Sequence, residues 1–73
     1  MKRQHIDPKR LRENRSRCGL TQRQLAAAIG VTLTSIQNYE RGRNVIPVKR
    51  LEALACALHC EPNELLMLPA VEG

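Results

Sequence analysis

Residues 20–42 contain the signals for two short helices that follow one another closely. The stretch reads LTQRQLAAAIGVTLTSIQNYERG, and each half opens on a threonine suited to capping a helix, at Thr21 and Thr32. Gly30 and Gly42 stand where the two helices should end, because glycine readily takes the positive φ found just after a helix. The stretch therefore predicts a helix, a tight turn at Gly30 and a second helix.

A further helix is predicted before this stretch. Asp7 is a suitable capping residue, and Pro8 suits the first helical position, where its missing N–H costs nothing. We expect this helix to run to about Cys18 and to end at Gly19. Residues 1–6 would then form a flexible N-terminus.

Two more helices are predicted after the stretch. A loop over residues 43–47 precedes a fourth helix, which is marked by apolar residues at helical spacing. These residues are Leu51, Leu54, Ala55 and Leu58. Glu61–Pro62 begins a short fifth helix. Since no strand-like alternation is present, the sequence predicts an all-α, five-helix domain over residues 7–68 and a frayed tail over residues 69–73.

The size and charge of the chain limit the classes of function that it can have. Seventy-three residues allow one small domain, which buries only about 60% of the surface of its unfolded chain. The net charge is +5, and every Lys and Arg lies in residues 1–50, whereas residues 51–73 contain only acidic charges. Such a division is typical of a protein that binds a polyanion on one side, although an ordinary solvated surface is an equal alternative.

Membrane, metal and disulfide classes are disfavoured. The longest strictly apolar run, Ala53–Leu58, is too short to cross a bilayer, and charged residues interrupt any leader-like segment. We expect a cytoplasmic protein with no membrane partner. Three cysteines, an odd number, argue against a disulfide framework. Cys56, His59 and Cys60 are close in sequence but fall short of four zinc ligands, so no metal or cofactor is expected.

The third helix, over residues 33–41, has two chemically different edges. Ile36, Tyr39 and Glu40 are expected to face inward. The opposite edge carries Leu33, Thr34, Gln37, Asn38 and Arg41. Amide side chains offer a donor and an acceptor to one base, usually adenine, and leucine or threonine can contact a thymine methyl group. This edge predicts base recognition in the DNA major groove, and a polar face that contacts only water is the alternative.

Other side chains are expected to contact DNA phosphates. Gln22 lies at the start of the second helix, where free backbone N–H groups and the helix dipole favour an anion. The basic candidates near the end of the third helix and beyond it are Arg41, Arg43, Lys49 and Arg50. For each of these four alone, simple solvation is an equal alternative.

The sequence resembles the helix-turn-helix of the phage-repressor/Cro type, the XRE family. The resemblance covers about residues 11–66. It rests on Leu20-Thr21-Gln22, Leu25-Ala26, Gly30-Val31, Ser35-Ile36, Glu40, Gly42, Pro47, the fourth-helix leucines and Glu64-Leu65-Leu66. It implies a five-helix bundle of the lambda-repressor-like type that usually binds a palindromic operator as a homodimer.

The resemblance also implies roles for single residues. At the position of Gln22 the family contacts a phosphate. The positions that face the groove match Thr32, Leu33, Thr34, Gln37 and Asn38. The position of Arg15 often pairs with that of Glu40, behind the reading helix. The residues indicate the same pair, because each is charged on a face that otherwise points inward, unless each side chain reaches solvent.

The sequence departs from the family pattern at three places. His59 stands at a helix end where the family often has glycine, which predicts a strained turn. Leu33 replaces a residue that is often polar, so hydrogen bonding to a base is not available there. Val45 and Ile46 form an apolar loop, which is expected to pack on the core or to take part in a dimer contact.

Two classes of function remain after these observations. The first is a sequence-specific DNA-binding transcriptional regulator that binds double-stranded DNA as a homodimer on an inverted repeat. The alternative is an antitoxin-like module that binds a toxin or another protein partner and autoregulates. An enzyme is not expected, because His5 lies in the predicted flexible N-terminus, His59 lies at a helix end, and neither has an evident nucleophile or acid arranged around it.

Overall fold

The first helix begins and ends where the sequence predicts. In the computed structural model, which describes residues 5–67, α1 spans Pro8–Cys18. The Asp7 carboxylate accepts a hydrogen bond from the backbone N–H of Lys9 at 3.0 Å. Gly19 ends the helix with a φ of 75°. Local capping chemistry therefore fixes both ends of α1.

The next two helices also follow their predicted signals. α2 spans Gln22–Ile29 and α3 spans Leu33–Arg41. Each capping hydroxyl accepts a hydrogen bond from the backbone N–H three residues later, at 3.0 Å for Thr21 and 3.1 Å for Thr32. Gly30 takes a φ of 76° between the helices. A short turn can therefore join α2 directly to α3.

The second half of the chain is less regular than predicted. A 3-10 helix over Val48–Arg50 leads into α4, Leu51–Ala57, and a second 3-10 helix spans Pro62–Leu65. The backbone of Leu66 is extended and forms an antiparallel bridge with Ile6. The all-helical class is confirmed. The count of five helices is not, because the described part of the chain has four α-helices and the fifth segment is a 3-10 helix.

The folded structure begins earlier than residue 7. Ile6 is 4% exposed and belongs to the core, and the N–H of Met67 donates to the carbonyl of His5 at 2.7 Å. Tertiary pairing therefore orders Ile6, the last residue of the segment predicted as a flexible N-terminus. Residues 1–4 and 68–73 lie outside the described residues, and the predicted tail over residues 69–73 is among them.

One apolar core joins the helices. The fully buried large side chains are Leu11, Leu25, Ile36, Leu54, Leu58 and Leu65. They come from all four α-helices, the turn that follows α4 and the second 3-10 helix, and burying each leucine stabilises the fold by about 1.5–3 kcal/mol. Ile46 packs among them, whereas Val45 beside it is 78% exposed. Tyr39 of α3, the chain's only aromatic residue, is 7% exposed.

No helix within residues 5–67 is both long enough and apolar enough to span a bilayer. The apolar side chains are used instead to cover one another across short helices, of which the longest, α1, has 11 residues.

The turn after α4 places a residue other than glycine in the left-handed region. His59 has a φ of 53°. Its N–H donates to the carbonyl of Cys56 at 3.2 Å, and the N–H of Cys60 donates to the carbonyl of Ala55 at 3.0 Å. The hydrogen bonds of a helix end are therefore made at the expense of backbone strain, which costs about 1–2 kcal/mol for a residue with a β-carbon.

We predict that His59→Gly raises the free energy of unfolding by about 1 kcal/mol, because glycine relieves most of this strain. The melting temperature should rise by about 4–8 °C for a domain of this size. Gly19→Ala is the matched control, since Gly19 has a φ of 75° and a β-carbon there would meet no other atom within 4 Å. Gly19→Ala should lower the melting temperature, because it places a β-carbon at a positive φ. A His59→Gly protein that melts at or below the wild-type temperature would show that the turn is not strained.

Candidate nucleic-acid interface

α2 and α3 pack against each other through their apolar edges. Leu25, Ala26 and Ile29 of α2 are buried, as is Ile36 of α3. The N–H of Val31 donates to the carbonyl of Ala26 at 2.9 Å, which closes the turn between the helices. Alanine at the contact allows the helices to approach closely. α2 thus supports α3 from behind and leaves the other edge of α3 uncovered.

The uncovered edge of α3 presents polar groups to solvent. Thr34 is exposed, and Leu33, Gln37 and Asn38 are half-buried. Neither amide side chain hydrogen-bonds to any described residue, and neither contains a buried polar atom without a partner. Their donors and acceptors are therefore available to water or to a ligand. Leu33 does not belong to the apolar groups that pack on the core.

Thr32 differs from the other predicted groove-facing residues. Its hydroxyl accepts a hydrogen bond from the N–H of Ser35 and donates to the Ser35 Oγ at 3.0 Å. Both contacts belong to the cap of α3. Although the side chain of Thr32 is exposed, its hydroxyl is already occupied, so its methyl group is the part that remains for a ligand.

Behind α3 lies an ion pair that connects it to α1. Arg15 Nε donates to Glu40 Oε2 at 2.6 Å, and Arg15 Nη2 donates to Glu40 Oε1 at 3.1 Å. Arg15 Nη1 also donates to the carbonyl of Leu20 at 2.9 Å. The side chain of Glu40 is 4% exposed, and that of Arg15 is 15% exposed. This two-point geometry satisfies both carboxylate oxygens in a place that water hardly reaches.

Gln22 joins the same carboxylate. Its Nε2 donates to Glu40 Oε1 at 3.0 Å. The sequence placed Gln22 among the phosphate contacts and gave no sign of this interaction, because the two residues are 18 positions apart and neither has a pairing motif. Glu40 therefore contacts side chains from both α1 and α2.

The predicted phosphate-contacting cations lie at the end of α3 and in the 3-10 helix before α4. Arg41 and Arg43 are exposed at the end of α3, where the N–H of Arg43 caps the helix by donating to Asn38 at 2.9 Å. Lys49 is exposed and Arg50 half-buried in the 3-10 helix before α4. The buried Nε of Arg50 has no hydrogen-bond partner among the described residues.

One structural polar residue was not identified from the sequence. Asn14 is 5% exposed on the inner face of α1, and its Nδ2 donates to the carbonyl of Arg10 at 2.9 Å. The burial of an asparagine in a helix becomes evident only once the neighbouring helices are in place. Its position along α1 alone is compatible with either the solvent-exposed or the buried face.

The three cysteines are free thiols. Cys56 is exposed, and the half-buried Cys18 donates its S–H to the carbonyl of Leu58 at 2.7 Å. Burial raises the pKa of the Cys60 thiol above its usual value, and the nearby charge of Glu64 raises it further. The thiol therefore stays protonated at neutral pH. The described part of the chain contains no cluster of side chains suited to a metal ion.

Comparison with known proteins identifies this arrangement. A family model described as helix-turn-helix matches residues 9–65, from α1 to the end of the second 3-10 helix. The chain belongs to the XRE-type helix-turn-helix family. In an XRE-type domain, α2 and α3 are the two helices of the motif, and α3 is the second of them. This is a family of DNA-binding transcription regulators.

Two relatives of the XRE-type domain are larger proteins. An uncharacterized transcriptional regulator in the ATPase CF(0) region of Rhodospirillum rubrum is 46% identical over 57 residues, which cover 74% of this chain and 53% of that protein. The HTH-type transcriptional regulator y4wC of Sinorhizobium fredii is 39% identical over 54 residues, covering 74% of this chain and 38% of that protein. The matched segment thus spans about half of the first relative's length and less than half of the second's.

Solved structures share the fold of this XRE-type domain. The restriction-modification controller protein C.AhdI from Aeromonas hydrophila has a TM-score of 0.75 and 38% identity, and the match covers 80% of this chain and 84% of that one. The P22 c2 repressor in complex with a synthetic operator has a TM-score of 0.72 and 31% identity, and the match covers 80% of this chain and 88% of the repressor chain.

We predict that Arg15→Ala lowers the free energy of unfolding by about 3 kcal/mol, because it leaves the buried Glu40 carboxylate without its main partner. Arg17→Ala, also on α1, is the control. Arg17 lies 3.7 Å from Glu64, but its side chain is 71% exposed, so its loss should cost less than about 1 kcal/mol. Urea denaturation followed by circular dichroism measures both. Equal effects of the two substitutions would contradict the assigned role of the pair.

Proposed function

We propose that this chain is a sequence-specific DNA-binding transcriptional regulator that inserts α3 into the major groove. The uncovered edge of α3 is the observation that carries the proposal. It combines two amides that have no hydrogen-bond partner among residues 5–67, Gln37 and Asn38, with the exposed hydroxyl of Thr34 and the apolar side chain of Leu33. The fold shared with the P22 c2 repressor, which was solved in complex with an operator, supports the same role.

The chemistry of this edge favours A·T base pairs. The side-chain amide of Gln37 or Asn38 can donate an N–H to adenine N7 and accept a hydrogen bond from adenine N6–H through its carbonyl oxygen. Leu33 and the methyl groups of Thr32 and Thr34 suit the thymine methyl. We propose that these five residues read the bases of each half-site.

Phosphate contacts would place α3 in the groove. Gln22 lies at the start of α2, where the helix dipole favours an anion. Arg41 and Arg43 extend from the end of α3, with Lys49 and Arg50 beyond the loop. Such contacts fix position and supply affinity that falls with salt, whereas the bases supply specificity.

We further propose that the protein acts as a homodimer on an inverted repeat. A single module of this size makes few base contacts, and joining two of them raises affinity through effective concentration. Two copies of α3 on one face of the duplex require half-sites about 34 Å apart, centre to centre.

A protein-interaction role, such as that of an antitoxin, is the second candidate. The observation that favours it is the exposure of apolar side chains in the segment after α3, 78% for Val45 and 59% for Val48. Ile46, beside Val45, is buried and belongs to the core, so it adds nothing to this surface. Co-purification of a defined partner that is lost on Val45→Asp would support this role beside DNA binding.

We predict that selection from random duplexes with the purified protein enriches an A·T-containing inverted repeat. Replacing Gln37 and Asn38 together with alanine should flatten the base preference at the central positions of each half-site. Each lost bidentate contact removes about 1–3 kcal/mol of discrimination, which is roughly 5- to 150-fold. Binding to unrelated DNA should change far less, because the phosphate contacts remain.

Asn63→Ala provides the control for this experiment. Asn63 is an exposed amide in the second 3-10 helix, on a different element from α3, and its loss should leave the selected motif unchanged. If wild-type protein enriches no motif, or if the Asn63 variant loses preference as fully as the α3 variant does, α3 is not the reading helix.

A further inference from the structure

The Glu40 carboxylate accepts three hydrogen bonds from two other helices. Two come from Arg15 of α1, at 2.6 Å and 3.1 Å, and one comes from Gln22 Nε2 of α2, at 3.0 Å. The two hydrogen bonds from Arg15 join α1 to α3. The third contact brings in a side chain at the first position of α2.

This third contact determines which way the Gln22 amide faces. A carboxylate only accepts hydrogen bonds, so the NH2 group of the amide, and not its carbonyl oxygen, must face Glu40. Reversing the amide would bring its carbonyl oxygen against a negative charge that is 4% exposed. One N–H of Gln22 is thereby used, and the second N–H on the same nitrogen, in a half-buried side chain, has no acceptor among residues 5–67.

We propose that Glu40 is a positioning residue for DNA binding, which holds the Gln22 amide so that its free N–H donates to a backbone phosphate. This inference rests on the proposed function, because it assigns the orientation of one of its phosphate contacts. A phosphate oxygen also accepts only, so the amide bridges two anionic acceptors through its two N–H groups.

Holding the amide in advance increases affinity. A free glutamine side chain would lose rotamer freedom on binding, and removing that cost is worth about three- to tenfold in affinity. The carboxylate that holds the donor also belongs to α3. The phosphate contact of α2 and the base contacts of α3 are therefore fixed relative to each other by a single side chain.

The test uses variants that keep the net charge of the protein unchanged. The double variant Arg15→Met/Glu40→Met removes one positive and one negative group, and replacing a buried ion pair by apolar residues of similar volume often preserves stability. Gln22→Met removes the donor with little change in size. All proteins are titrated at low salt with a random-sequence duplex, since a phosphate contact does not require a particular sequence.

We expect Gln22→Met to weaken binding about tenfold and the double variant to weaken it about three- to tenfold. Adding Gln22→Met to the double variant should cost much less than it costs in wild type, because the two changes remove the same interaction. Nitrogen-15 spectra supply a second readout. DNA should shift the Gln22 side-chain amide signal in wild type but not in the double variant, while the signal of the buried Asn14 amide should stay in place in both.

A single variant, Glu40→Gln, covers the case in which the double variant does not fold. It raises the net charge by one, which by itself strengthens DNA binding, yet we expect weaker binding because a neutral amide orients Gln22 poorly. Wild-type affinity in Gln22→Met, or an unchanged Gln22 response once Glu40 is replaced, would overturn the inference. Neither result depends on sequence preference, so failure here is distinct from failure to select an operator.

Discussion

The orientation of α3 depends on one buried carboxylate. Apolar contacts around Ile36 hold the helix against its neighbours, but hydrophobic burial has no preferred direction and tolerates small rotations. The hydrogen bonds to Glu40 do not tolerate such rotations, since the strength of a hydrogen bond falls steeply as its angle departs from linear. An uncompensated buried charge costs several kcal/mol, so α3 docks well only when donors from α1 and α2 meet the carboxylate. The direction of the outward edge follows from this requirement.

Much of the fold could be predicted because its signals act over a few residues. Capping by Thr21 and Thr32 and termination at Gly30 depend on groups within four positions, which the sequence displays directly. The structure of the segment after α4 was harder to predict from the sequence, since the extended Leu66 pairs with Ile6, which is far away in the chain. A pairing of that kind depends on the assembled core and has no local signature.

The features of the candidate site also divide into those that local sequence predicts and those that need the assembled fold. Helical periodicity was enough to place Gln37 and Asn38 on one edge and Glu40 on the other, because those residues share one short helix. The contact between Gln22 and Glu40 joins two helices, so it could be found only from the structure. The family resemblance and the inward-facing charges both indicated Arg15 as the partner of Glu40, whereas no pattern indicated Gln22 as a second partner.

Tyr39 makes α3 optically distinct from the rest of the molecule. It is the chain's only aromatic residue, it is buried on α3, and no tryptophan masks its emission. Near-ultraviolet absorption and fluorescence therefore report on the surroundings of one helix, whereas far-ultraviolet ellipticity averages over all of them. A ligand, salt or temperature change that loosens α3 alone would separate these two signals without any label being attached.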